Sequence, residues 1–103
     1  MTDAQLPGAV RTLIARHIES VQQVEILRLL RADPRPWPSA ETATALRIAP
    51  ETCAAWLELL ARAALVERAD GGYRYCAGPA GDELLACYAL RRPRVVSAIH
   101  GPQ

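Results

Sequence analysis

The side chains able to do chemistry in this chain are few, and their spacing suits recognition better than reaction. Cys53, Cys76 and Cys87 form no CxxC pair, and His17 and His100 stand near opposite ends. A structural zinc needs four ligands at workable spacing, so no metal is expected. An odd set of unpaired cysteines is no disulfide framework. Cys53 reads as a core residue, and Cys76 with Cys87 as at most a redox-sensing pair. No glycine-rich phosphate loop, GxSxG or HExxH occurs, and the acids are scattered, so neither an enzyme nor a bound cofactor is expected. The cations are more informative. All twelve basic side chains are arginine, the residue best shaped for bidentate contact with phosphate or guanine, although a GC-rich genome gives the same bias. Arg68 and Arg74 flank a Gly71-Gly72 tip, and Arg91, Arg92 and Arg94 form the densest basic run.

The elements that position these groups are bounded by composition. A chain of 103 residues, half of them hydrophobic, is one domain with a real core. With no Phe, that core is built from Leu, Ile, Val and Ala, which favours helix on helix. The formal net charge of +1 is low for a dedicated nucleic-acid binder but allows a local basic patch. No signal peptide and no membrane-spanning apolar run are visible, so a cytoplasmic protein with reduced thiols is expected.

Residues 1–7 read as a loose lead-in. Val10, Leu13, Ile14 and Ile18 recur at helical spacing over residues 8–18. Ser20 with Gln23 makes a capping box for a helix over residues 21–32, whose apolar band is wide enough for a central helix. The spacing leaves open whether residues 8–32 form one bent helix or two short ones. Pro34, Pro36 and Pro38 enforce an extended path, in which Trp37 is limited to pairing at an edge or by a single bridge and is placed to anchor the core beneath a hairpin. Ser39 is expected to cap a helix ending near Leu46. Residues 47–49 form a turn, and Pro50 opens a helix reaching about Ala64. On that helix Cys53, Leu57, Leu60 and Ala64 share one line, while Glu51, Ala55, Glu58 and Arg62 point the opposite way. Two short strands over residues 65–69 and 73–76 surround the Asp70-Gly71-Gly72 turn. Gly78, Pro79 and Gly81 are expected to break the chain before a helix over residues 82–90. Pro93 interrupts the pattern, which resumes to Ile99, and the last residues are expected to fray.

The stretch SAETATALRIAPETCAAWLELLARAALVERADGGYRYC resembles the winged helix-turn-helix superfamily of bacterial transcription regulators. In that family a helix ending L..L...GLV.R leads into GG.Y.Y. Here Leu57, Leu60, Leu65, Val66 and Arg68 match the first pattern, and Tyr73 and Tyr75 the second. Ala64 stands where glycine is frequent, a departure that argues against a left-handed helix cap. The match covers residues 20–76 well and the C-terminal helix loosely. It implies a mainly α fold with a small β-hairpin wing and a C-terminal helix, in one domain over residues 1–103.

The resemblance also implies function. The helix from Pro50 would enter the major groove of double-stranded DNA, presenting Thr52, Ala55, Trp56 and Arg62 beside Glu51 and Leu59. Arg68 and Arg74 on the wing would meet phosphates or the minor groove. The two acids on the helix, Glu51 and Glu58, make it a poor reading surface. Leu84, Tyr88, Val95 and Ile99, with Leu85 and Val96, form an apolar stripe larger than one small domain easily covers, so a homodimer interface is expected there. The leading expectation is a dimeric, cofactor-free DNA-binding transcriptional regulator. The rival is a winged helix adapted to hold a protein partner through Trp56 and Leu59.

Overall fold

The chain is organised around one helix whose start is fixed by two polar side chains. The computed structural model describes residues 6–100. Helix α1 (Gly8–His17) precedes α2 (Val21–Ala32). Between them Ile18 is extended, and Ser20 caps α2 by accepting the Gln22 amide at 3.0 Å. Gln23 is fully buried. Its Oε1 accepts from the Glu19 and Ser20 amides at 2.5 and 3.1 Å, and its Nε2 donates to the His17 carbonyl at 3.2 Å. One amide side chain thus satisfies the free ends of both helices, and the residues from 8 to 32 form two helices rather than one bent one. The α2 side chains Val24, Ile26, Leu27 and Leu30 are wholly buried, because α3, α4, α5 and β2 all pack on this helix.

After α2, Trp37 makes the single bridge that its proline neighbours permit. Its amide donates to the Tyr73 carbonyl at 2.8 Å, and the Tyr73 amide returns the bond at 2.9 Å. The buried indole donates to the Asp33 carbonyl at 3.0 Å, and the Arg35 guanidinium lies over the ring at 3.8 Å. Helix α3 (Ser39–Leu46) is not capped by Ser39, which is already its first helical residue. Pro38 holds the cap position, and its carbonyl accepts both the amide and the hydroxyl of the buried Thr42 at 3.0 Å. Arg47 ends α3 in the left-handed region at φ 57°, Ile48 is buried, and Pro50 opens α4 (Pro50–Arg62).

Cys53, Leu57 and Leu60 carry the buried line of α4. Ala64 does not continue it. The helix ends at Arg62, and Ala64 is exposed in the left-handed region at φ 62°, so the Leu65 amide closes back on the Leu60 carbonyl at 2.9 Å. The left-handed cap that alanine argues against is present, because Leu65 and Val66 must turn into the core.

Strands β1 (Val66–Ala69) and β2 (Gly72–Tyr75) pair antiparallel, with Arg68 opposite Tyr73 and Ala69 opposite Gly72. Asp70 and Gly71, at φ 46° and 80°, form a two-residue loop with the dihedral signs that suit a twisted hairpin. Gly72 is required by contact: a Cβ there would lie 2.5 Å from the Trp37 carbonyl carbon.

Helix α5 (Gly78–Leu90) begins four residues earlier than the spacing suggests. Pro79 sits in its first turn, where its missing donor costs nothing, so the Gly78–Gly81 segment starts a helix rather than breaking one. Asp82 in this turn accepts the Tyr75 hydroxyl at 2.7 Å, tying α5 to the hairpin. Arg91 separates α5 from α6 (Arg92–His100), with Pro93 in the opening turn of α6. Helix α1 packs across both α5 and α6. As a result Leu84, Leu85, Tyr88 and Val95 are buried within the chain, and Val96 and Ile99 are half-buried. Leu84, Tyr88 and Val95, expected at a dimer interface, are therefore core within one chain, while Ile99 keeps part of its surface open. The molecule is mainly helical with a small hairpin wing. Leu6 is buried, while the expected lead-in over residues 1–5 and the fraying over 101–103 lie outside the described residues. Among the described residues, no helix is long and apolar enough to cross a membrane.

Candidate nucleic-acid interface

The outward face of α4 and the hairpin lie side by side, with β1 packed on α4. Along α4, Glu51, Ala55 and Arg62 are exposed, and Thr52, Trp56, Glu58 and Leu59 are half-buried. Glu58 joins the two elements. Its carboxylate accepts the Tyr73 hydroxyl at 2.5 Å and forms an ion pair with the Arg68 guanidinium. Arg68 and Tyr73 are cross-strand partners, so they leave the ribbon on one side and meet the same carboxylate. The bond from Tyr73, aided by the charge of Arg68, holds the Glu58 carboxyl below its ordinary range. The same bond, together with burial, raises the Tyr73 phenol above its own.

The expected contact residues are only partly brought together. Arg68 reaches α4 but is engaged by Glu58. Arg74 lies 3.7 Å from Glu67 on the opposite strand. Trp56 turns towards the core side of α4, where its indole donates to Gln22 Oε1 at 2.8 Å and joins α4 to α2. Arg62 lies near the far end of α4, in a surface cleft with Arg16, His17, Glu19, Leu59 and Ala63. Arg16, His17 and Arg62 occupy the last turns of their helices, where cations complement the negative helix end. Of the basic run, Arg92 is tied down: it lies over the Tyr88 ring at 4.5 Å and approaches Glu25 at 3.8 Å. Burial pushes all three thiols above their ordinary pKa, so none is primed as a thiolate.

Two residues escape the reading of the sequence. Arg47 is exposed in the turn directly ahead of α4, and among the described residues it enters no ion pair. Its place just before Pro50 was the available signal. Glu58 looks like one more solvent-facing acid on α4. Only the cross-strand register of Arg68 and Tyr73 shows it to be the anchor of the hairpin. Compared with protein-family models, curated proteins and solved structures, the chain matches none of them.

Proposed function

We propose that this chain is a winged-helix DNA-binding domain of a bacterial transcriptional regulator, working in the cytoplasm, with α4 directed to the major groove and the hairpin to the flanking backbone. The observation that carries this reading is the pairing of an outward helix with a ribbon fastened beside it through Glu58. The two elements lie side by side and share the Glu58 contacts, and a helix beside a ribbon is an arrangement that can grip a duplex. Arg47, at the entrance to α4, and Arg68 and Arg74, on the wing, supply the phosphate contacts. Thr52 and Ala55 supply the surface nearest the bases.

The test is duplex binding followed by anisotropy across a salt series. The wild-type chain binds a labelled duplex at low salt, and Arg68→Ala with Arg74→Ala weakens binding and flattens the salt slope by about two, one per lost phosphate contact. Unchanged affinity in that double variant removes the wing from the interface.

A second reading is favoured by a specific observation: both wing arginines have carboxylate partners, and the α4 face carries Glu51, Ala55 and Glu58. Such a face suits a protein partner better than phosphate. Flow-through on both heparin and duplex columns at low salt favours this reading, and retention favours DNA.

A further inference from the structure

We infer that Glu58 is an internal stand-in for a DNA phosphate, holding the wing arginine against α4 and thereby limiting non-specific grip on duplex. The inference rests on the DNA-binding reading and assigns the residue that sets its affinity. Glu58 lies on the outward line of α4, between Ala55 and Arg62, the face that the DNA-binding reading turns to the duplex. It presents two oxygens to two donors, Arg68 to one and the Tyr73 hydroxyl to the other. A phosphate oxygen offers Arg68 the same anionic acceptor. The ion pair is open to solvent, with 63% of the Arg68 side chain and 41% of the Glu58 side chain exposed. Pairs so exposed are weak and exchange their partners readily. Arg68 can therefore leave Glu58 for a phosphate without unfolding the hairpin, since Tyr73 remains on Glu58 and Trp37 remains on Tyr73.

The exchange has a cost that depends on charge alone. When Arg68 turns to the backbone, the Glu58 carboxylate is left beside it and repels it. Arg62, whose charge also acts on Glu58, offsets only part of this. Every duplex meets this repulsion, whatever its sequence, so affinity is lowered across all sequences alike and a site without further contacts is held least.

Glu58→Gln tests this, because glutamine keeps one acceptor oxygen for Arg68 and can donate its amide to the Tyr73 oxygen, but removes the charge. The variant is expected to bind a random-sequence duplex about fivefold to tenfold more tightly than the wild-type chain at low salt, with a salt slope steeper by about one. Part of the gain is the removed repulsion and part passes through the released Arg68, so adding Arg68→Ala to Glu58→Gln reduces the gain without abolishing it, a coupling read from the double-mutant cycle. Circular dichroism reports that each variant retains its fold. If the wild-type chain binds duplex and Glu58→Gln binds no better, Glu58 is only a structural anchor and the inference is overturned while the DNA reading stands. If neither chain binds duplex at low salt, the DNA reading falls and takes the inference with it.

Discussion

Gln23 and Glu58 do similar work: each satisfies two donors with one side chain and so ties neighbouring segments together. Gln23 is wholly enclosed. Gln23→Leu leaves the Glu19 and Ser20 amides without their acceptor, and because Glu19 is exposed and Ser20 half-buried, water replaces part of the bond and the loss is about 0.5–1.5 kcal/mol. Urea unfolding is expected to show a loss in that range, and a neutral result would mean the α1–α2 junction rearranges. For Glu58 the sign of the pH dependence follows from the two shifts. A depressed carboxyl contributes stability above its unfolded pKa and loses it as pH falls through the folded value. A raised phenol contributes below its unfolded pKa and loses it as pH rises through the folded value. The Glu58–Tyr73 contact is therefore intact through neutrality. It opens in acid below the ordinary glutamate value of about 4.3 and in alkali above the ordinary tyrosine value of about 10. Tyr73 ring resonances followed by NMR report both events, and an opening near neutral pH contradicts the assignment.

At the scale of elements, the ends of helices and the turns between them decide the structure. Ala64 holds a conformation that costs an L-residue about 1–2 kcal/mol, against which the added chain entropy of glycine weighs about 0.4–1 kcal/mol. Ala64→Gly is therefore expected to stabilise the domain by about 0.5–1 kcal/mol in denaturant unfolding, and destabilisation would show that the cap is unstrained. Gly72→Ala works the other way. Its Cβ meets the Trp37 backbone, so the bridge to Tyr73 breaks and the Trp37 environment changes in fluorescence. Legibility followed the same division. The capping box at Ser20, the Pro50 start of α4 and the hairpin tip are local devices, and they can be read from short stretches of sequence. The start of α5 was misread because Gly78, Pro79 and Gly81 are breakers in a helix interior but acceptable in a first turn, and only the packing of Tyr75 and Asp82 settles which applies. The Ser39 cap was misread for a related reason: Thr42 bonds back to Pro38 and moves the boundary by one residue. The Glu58 anchor was invisible because it joins residues ten and fifteen positions apart across a turn.

For the whole molecule, the question is what covers the apolar surface of α5 and α6. The expected dimer depended on Leu84, Tyr88, Val95 and Ile99 lying open, but the first three are buried within the chain and Ile99 is half-buried. Among the described residues, Leu90 is the large hydrophobic side chain left exposed, at 83%. Arg91, Arg92 and Arg94 follow it in sequence and are exposed and alike in charge. A stable homodimer commonly buries about 1,200–2,000 Å² in total, and one exposed leucine is far from that. The 103-residue chain is therefore expected to sediment at its monomer mass of 11.2 kDa at tens of micromolar protein, roughly the range where weak contacts begin to show. On the DNA-binding reading, a monomer presents one α4 and one hairpin to the duplex. Each additional site on a longer duplex then binds independently, so the affinity per site is the same on a duplex holding one site as on a duplex holding two. Sedimentation at twice the monomer mass, or tighter binding to paired sites at a fixed spacing near one helical turn, would show that a second copy docks on a surface other than this stripe. The regulator would then have twofold symmetry after all, with the interface placed outside α5 and the start of α6.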